Sequence, residues 1–104
     1  MSDTARTGLG IPEIIGDKRE AILALAARYG ASNVRIFGSV ARGEADADSD
    51  VDILVRFKAK YRLLDWIGLQ QALSRLLERR VDVTLEDTLR EEFRPSVMRD
   101  AVEL

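Results

Sequence analysis

The sequence contains no cysteine and no histidine among its 104 residues. Their absence excludes disulfides, thiolate nucleophiles, imidazole general bases and Cys/His zinc sites. Any chemistry must therefore rest on carboxylates, hydroxyls, Lys and Arg side chains, and a hard cation bound by oxygen atoms. A chain of this length forms one small domain, and 46% hydrophobic residues are enough for it to bury a core.

The sequence also lacks any apolar run long enough to span a membrane, and its N-terminus, MSDTARTGLG, has no apolar signal-peptide region. We therefore expect a cytoplasmic protein that does not bind membranes. Sixteen basic residues are balanced by eighteen acidic ones, which gives a net charge of -2. Because nucleic-acid-binding domains are usually basic, no direct nucleic-acid binding is expected.

The pattern of apolar residues predicts a mobile N-terminal segment over residues 1–15 and a single domain over residues 16–104. Asp17 is the predicted cap of the first helix, and Pro95 suits the first turn of the last one. Helices are predicted at about 17–29, 39–42 (one short turn), 63–78 and from 95 onward, and strands at 33–37, 50–57 and 81–85.

This order of elements predicts an α/β (α+β) domain with two layers, in which helices pack on one face of a small mixed β-sheet and leave the other face open. The helix at 63–78 is expected to bury one apolar stripe. Its predicted members are Leu63, Ile67, Gln70, Leu73, Leu76 and Leu77.

Gly38 and Ser39 follow a predicted strand and begin a helical turn. Free backbone N–H groups, a close approach allowed by glycine and a serine hydroxyl together make a small anion site that suits phosphate oxygens. Arg42, one turn further on, can reach the same anion. Taken alone, each has an ordinary interpretation, because Ser39 can be a helix cap and Arg42 an exposed helix residue.

Four aspartates lie within the seven positions 46–52, and Asp50 and Asp52 among them project from the same face of a predicted strand. Asp82, on another strand, can join them if the two strands are neighbours. Three carboxylates without imidazole or thiolate favour Mg²⁺ or Mn²⁺, and two such ions about 3.5–4 Å apart serve in-line phosphoryl displacements. Asp46 and Asp48 are interpreted as loop residues.

Each of these acids, taken singly, is more typical of a structural or surface position than of catalysis. The spacing of all three together with a phosphate-binding turn favours a site for a nucleotide and metal ions. This combination suggests nucleotidyl transfer from a nucleoside triphosphate.

The string GSVARGEADADSDVDILV resembles the signature of the DNA polymerase beta-type nucleotidyltransferase superfamily, in which Gly-Ser is followed about ten residues later by Asp-x-Asp. Its detailed form, GSxARGxxxxxSDxDxxV, resembles the minimal nucleotidyltransferase branch, typified by MntA-like antitoxins encoded beside HEPN-domain toxins. The stretch LLDWIGLQQALSRLLERRVDVTL resembles the helix and Val-Asp-Val strand of that branch. The resemblance spans about residues 18–85.

The resemblance implies roles for particular residues. Asp50, Asp52 and Asp82 would be the catalytic metal ligands, and Asp82 would also help to activate the acceptor hydroxyl. The triphosphate would be held by Gly38 and Ser39, assisted by Arg42.

The resemblance further implies an antitoxin that transfers AMP from ATP, with Mg²⁺ or Mn²⁺, to a tyrosine of a cognate HEPN-type toxin. A second hypothesis is a non-catalytic antitoxin that neutralises its partner by forming a complex. Both homo-oligomers and hetero-oligomers are compatible with the sequence.

Overall fold

Alternating apolar residues in three segments of the chain form the main strands of one sheet. The computed structural model describes residues 8–58, 60 and 62–104. Its strands are β1 (Ala31–Phe37), β2 (Val51–Phe57), β3 (Val81–Leu85) and β4 (Val102–Glu103). Its helices are α1 (Ile11–Ile14), α2 (Arg19–Arg28), α3 (Gly38–Arg42), α4 (Leu63–Leu77) and α5 (Arg94–Asp100), with a 3-10 turn at Glu86–Thr88.

The four strands lie in the order β3-β2-β1-β4. β2 and β3 are parallel, whereas β1 is antiparallel to both β2 and β4. Helices α2 and α4 pack against this sheet, and together they enclose the apolar core. The predicted class, a two-layer α/β domain with a mixed sheet, is confirmed. None of the helices in the described ranges has the length and apolar character needed to cross a membrane.

The face of the sheet opposite the core is less open than predicted. Leu54 of β2 points to that face and is fully buried. Its partner across the strands is Arg35, which forms an ion pair of 3.1 Å with Glu86 of the 3-10 turn. Arg94 donates to the carbonyl oxygen of Glu86 at 3.1 Å. The segment after β3 therefore covers this part of the second face.

The start of the chain holds structure that the sequence analysis missed. Leu9 forms a β-bridge with Ala45, α1 follows it, and Ile15 is buried in the core. Mobility of residues 1–15 stays a prediction, and residues 1–7 lie outside the described part of the chain. The predicted Asp17 cap is wrong, because α2 begins at Arg19 after Lys18 and has no side-chain cap.

The orientation of α4 also differs from the prediction. The buried positions of the helix are Leu69, Leu73 and Leu77, whereas Leu63 is 61% exposed and Ile67 is 38% exposed. Leu73 and Leu77 are buried as predicted, whereas Leu63 and Ile67 are exposed, so the buried stripe is rotated relative to the predicted one. The reason lies in the polar contacts that α4 makes with the neighbouring strand.

Three side chains of α4 bond the outer edge of β3, which is the last strand of the sheet. Trp66 donates its indole N–H to the carbonyl oxygen of Val83 at 2.8 Å, and Gln70 accepts from the N–H of Val83 at 2.8 Å. Ser74 accepts from the N–H of Val81 at 3.2 Å. These residues are four positions apart and so share one helix face. They satisfy backbone groups that an edge strand would otherwise present to another chain.

The contact between Gln70 and Val83 predicts a difference between two neighbouring glutamines. Replacing Gln70 by Ala leaves the N–H of a buried strand residue without its partner, which should lower the free energy of unfolding by about 1–2 kcal/mol. Gln71 is exposed on the same helix, so Gln71→Ala should change stability by less than about 0.5 kcal/mol. Urea denaturation measures both values, and equal effects of the two substitutions would contradict this role for Gln70.

Candidate active site

Two of the predicted acidic residues lie side by side in the sheet. Asp52 of β2 and Asp82 of β3 are direct partners in the parallel register. Neighbouring strands lie about 4.8 Å apart, and residues at one register position point to the same face. The structure therefore brings the carboxyl groups of Asp52 and Asp82 together on the face opposite the core.

Asp50 lies immediately before β2, and its carboxylate is 3.8 Å from the guanidinium of Arg80. Burial raises the pKa of Asp52 above its ordinary value, and the negative charges of Asp82 and Asp50 raise it further. The positive charge of Arg42 opposes this rise. The three predicted acids thus form one electrostatic group around Asp52, in which the charges repel one another.

The donor atoms of this group suit a hard divalent cation. Within the described ranges, no three acidic side chains are close enough to form a ready metal-binding cluster. All three members are nonetheless oxygen donors, and the repulsion that raises the pKa of Asp52 is of the kind a bound cation relieves. Asp50, Asp52 and Asp82 therefore fit Mg²⁺ or Mn²⁺ by their chemistry, and their role as ligands stays a prediction.

Gly38 lies against Asp52 at the end of β1. Phe37, the residue before it, is the register partner of Asp52, and Gly38 adopts a φ of +76°. A β-carbon at this position would collide with the Asp52 carboxylate and lie 3.2 Å from its Cγ. Only glycine combines this positive φ with so close an approach. The predicted phosphate-binding turn and the predicted metal ligands are thus direct neighbours.

Helix α3 begins at Gly38, so Ser39 lies at its start as predicted. Ser39 is half-buried, and its hydroxyl makes no hydrogen bond to another residue in the ranges described. Arg42 closes the helix and bonds two carboxylates, Glu44 at 2.9 Å and Asp100 at 2.9 Å. The guanidinium is therefore engaged by two acids, and phosphate binding by Gly38, Ser39 and Arg42 stays a prediction.

The acidic loop before β2 is stabilised by its own hydrogen bonds. The side chain of Asp46 accepts from the N–H of Asp48 at 2.9 Å and from the hydroxyl of Ser49 at 3.0 Å. These bonds lower the pKa of Asp46. Arg79 donates to the carbonyl oxygens of Asp46 and Ser49. Asp46 and Asp48 are loop residues, as the sequence analysis interpreted them.

Sequence reasoning missed the two arginines that follow α4. A pair of charges after a helix is usually solvated, yet Arg79 bonds the acidic loop and Arg80 forms an ion pair with Asp50. The pair immediately precedes the strand that bears Asp82. This position next to a predicted site residue was the signal in the sequence that could have indicated contacts with the acidic residues.

A cavity of about 380 Å³ opens beside Asp82. Leu63 and Trp66 of α4 form one side of it, and Asp82 and Thr84 of β3 form another. Thr88 closes a further side. A second cavity, of about 100 Å³, lies near the other end of β2 and includes none of the predicted site residues.

Comparisons with known proteins give the family of the chain. The family described as "Nucleotidyltransferase domain" matches residues 18–104. Protein adenylyltransferase MntA of Thermococcus cleftensis is 42% identical over 78 residues, which are 75% of this chain and 79% of that protein.

Two solved structures share the fold. One, assigned as a minimal nucleotidyltransferase, is 52% identical and superposes with a TM-score of 0.77, covering 84% of this chain and 89% of the other. The second is a crystal structure of a toxin–antitoxin with AMP-PNP. It is 20% identical with a TM-score of 0.71, and the match covers 84% of this chain and 71% of that one.

The contact between Gly38 and Asp52 predicts that Gly38→Ala destabilises the fold more than Gly30→Ala. Both glycines have a positive φ, so both substitutions should lose about 1–2 kcal/mol from backbone strain. A β-carbon at Gly30 meets nothing within 4 Å, whereas one at Gly38 must displace Asp52. Denaturant unfolding should therefore show a further loss of about 1 kcal/mol or more for Gly38→Ala alone. Equal losses would show that Asp52 moves aside freely.

The raised pKa of Asp52 predicts the sign of a charge effect on stability. Because the folded state binds a proton on Asp52 more readily than the unfolded state does, ionised Asp52 opposes folding at neutral pH. Asp52→Asn should therefore raise the Tm by a few degrees at pH 7. The difference should shrink as the pH falls through the raised pKa towards the ordinary value of 3.8.

The matched control for this effect is Asp46, whose pKa is shifted in the opposite direction. Its ionised form is favoured by the folded state, so Asp46→Asn should not raise the Tm at pH 7. Thermal unfolding of both variants between pH 4 and 8 decides the matter. An Asp52→Asn variant no more stable than the wild type at pH 7 would contradict the electrostatic account.

Proposed function

The chain belongs to the nucleotidyltransferase domain family, in the minimal MntA-like branch that its signature resembles, and is a nucleotidyltransferase. We propose that it transfers AMP from ATP to a tyrosine hydroxyl of a HEPN-type toxin. The observation that carries this proposal is the pairing of Asp52 with Asp82 at the end of the sheet where Gly38 begins α3. A phosphate-binding turn and paired carboxylates are the two parts that nucleotidyl transfer needs.

In the proposed reaction, the backbone at Gly38 and the hydroxyl of Ser39 hold the phosphates of ATP. The acceptor hydroxyl gives its proton to the carboxylate of Asp82, and its oxygen attacks the α-phosphorus. The bond between that phosphorus and the oxygen bridging to the β-phosphorus breaks, and pyrophosphate leaves. The proton on Asp82 passes to solvent, which restores the carboxylate for another cycle. With no histidine in the chain, a carboxylate is the available base.

Asp50, Asp52 and Asp82 would hold Mg²⁺ or Mn²⁺, with two ions bound. When bound, such ions neutralise charge on the phosphates and favour departure of pyrophosphate. Arg42 is near enough to Asp52 to affect its pKa, so release from Glu44 or Asp100 would let its guanidinium turn to a phosphate.

The known relatives support the donor and the partner. A relative at 42% identity is named protein adenylyltransferase MntA, and a structural neighbour is a toxin–antitoxin crystallised with AMP-PNP, an analogue of ATP. We therefore infer that this chain is the antitoxin of a pair and that AMP transfer silences its toxin.

The proposal predicts that three substitutions stop AMP transfer. When the chain is incubated with ATP, Mg²⁺ and its toxin partner, the intact mass of the toxin should rise by one or more AMP units. Asp50→Asn, Asp52→Asn and Asp82→Asn should each lower the rate by about 10²–10⁴, because each removes a carboxylate from the reacting centre.

Asp48→Asn is the matched control for charge, since Asp48 is an exposed acid of the adjoining loop. This variant should retain the wild-type rate. Full labelling by both Asp52→Asn and Asp82→Asn would refute the mechanism. Neutralisation of the toxin without any mass increase, equal in wild type and Asp50→Asn/Asp52→Asn, would instead favour an antitoxin that acts by complex formation.

A further inference from the structure

Arg42 connects the candidate site to the last helix of the chain. It is the last residue of α3, the helix that Gly38 begins. Its Nε donates to Glu44 in the following loop and its Nη1 donates to Asp100 of α5, each at 2.9 Å. The cation is therefore shared between a loop beside the site and a helix that contributes no predicted site residue.

The guanidinium of Arg42 is within reach of the predicted phosphate turn. Helix α3 has five residues, so at a rise of about 1.5 Å per residue Gly38 and Arg42 lie about 6 Å apart along its axis. The charge of Arg42 also acts on Asp52, the acid that Gly38 approaches. Phosphate oxygens are strong acceptors for a guanidinium. A nucleotide bound at Gly38 and the carboxylate of Asp100 therefore compete for the same cation.

The position of Asp100 does not favour the helix that bears it. Asp100 is the last residue of α5, where the unpaired carbonyl groups of a helix carry a partial negative charge that repels an acid. Its side chain is 25% exposed, and the ion pair with Arg42 offsets that repulsion. The carboxylate thus contributes to the attachment of α5 to α3 rather than to the stability of the isolated helix.

Helix α5 and β4 are weakly attached to the rest of the domain. Every residue of both elements is at least partly exposed, and β4 consists of two residues that pair with β1. The polar contacts of α5 are the ion pair between Arg42 and Asp100 and the hydrogen bond from Arg94 to Glu86. Segments with few buried contacts open at a low cost in free energy. Loss of the ion pair should therefore change the opening of α5 measurably.

We propose that Asp100 is a positioning residue that holds Arg42 while the site is empty, and that a bound nucleoside triphosphate takes the guanidinium from Asp100 and loosens α5 from α3. The proposal rests on the proposed function, because a nucleotide at Gly38 is what brings phosphate oxygens to Arg42. It adds a conformational response to nucleotide binding. Because such coupling is reciprocal, any contact that holds α5 against α3 weakens nucleotide binding by the same factor.

A double-mutant cycle on nucleotide affinity tests the competition. Calorimetric titration with Mg²⁺ and an ATP analogue that cannot transfer AMP should show about two- to fivefold tighter binding to Asp100→Asn, the size expected for a surface ion pair. In an Arg42→Gln background the same substitution should leave the affinity unchanged, because the contested guanidinium is gone. Unchanged or weaker binding to Asp100→Asn, or equal tightening in both backgrounds, would overturn the proposal.

Two further substitutions separate the effect of charge from the effect of α5. Glu103→Gln removes an equal charge from an exposed side chain of β4, three residues after Asp100, and should bind the analogue as the wild type does. Glu44→Gln removes the other carboxylate that bonds Arg42, so it should tighten binding while α5 stays attached. Tightening in Glu103→Gln equal to that in Asp100→Asn would show a general effect of charge and would contradict the specific role of Asp100.

Amide hydrogen exchange measures the loosening of α5. In the wild type, saturating analogue with Mg²⁺ should speed exchange in α5 about two- to fivefold relative to Mg²⁺ alone, for example at Ala101, whose N–H bonds the carbonyl oxygen of Val97. Amides of α2, which packs in the core, should exchange no faster. In Asp100→Asn, exchange in α5 should already be fast without the analogue and change little when it binds.

The outcomes distinguish this proposal from the proposed function. Saturable binding of the analogue to the wild type without faster exchange in α5 would overturn the role of Asp100 and leave the proposed function standing. Binding with faster exchange in α5, but without AMP transfer to the toxin, would support the role of Asp100 and refute the transfer. Absence of any binding of the analogue would overturn both.

Discussion

The close approach of Gly38 to Asp52 is the constraint on which the candidate site depends. The positive φ of Gly38 at the end of β1 turns the chain into α3, and the absence of a β-carbon leaves room for the carboxyl group of Asp52. Burial and the negative charges of Asp82 and Asp50 already disfavour the ionised form of that group. Moving either residue would separate the predicted phosphate-binding turn from the acidic pair. The arrangement opposes folding at this point, as groups arranged for binding and catalysis often do. The neighbouring core of strands, α2 and α4 maintains it.

The spacing of residues in the sequence was enough to predict the three main strands, the mixed sheet and the acids that meet in it. Alternation placed Asp52 and Asp82 on strands, and parallel pairing of those strands then brought the two together. Weak local signals gave poorer predictions. The cap at Asp17 is absent, and short elements such as α1 and β4 depend on contacts with distant parts of the chain rather than on their own residues.

Helix α4 shows why periodicity alone could not orient an element. Its apolar residues occur on more than one side, so several stripes fit the sequence equally well. The side that faces the sheet is fixed by polar contacts of Trp66, Gln70 and Ser74 with β3, which no hydrophobic pattern records. Leu63 and Ile67 stay exposed in this orientation, and Leu63 lines the cavity beside Asp82. One set of hydrogen bonds thus protects an edge strand, fixes an indole in a cavity wall and presents apolar surface near the site.

The central claim is that the acids around Asp52 hold a metal-bound nucleotide against the turn at Gly38. Calorimetric titration with an ATP analogue that cannot transfer AMP tests it most directly, with and without Mg²⁺, in the wild type and in Asp50→Asn/Asp52→Asn. The account predicts Mg²⁺-dependent binding to the wild type and at least tenfold weaker binding to the variant. Equal affinity of both proteins for the analogue, or binding that is indifferent to Mg²⁺, would contradict it.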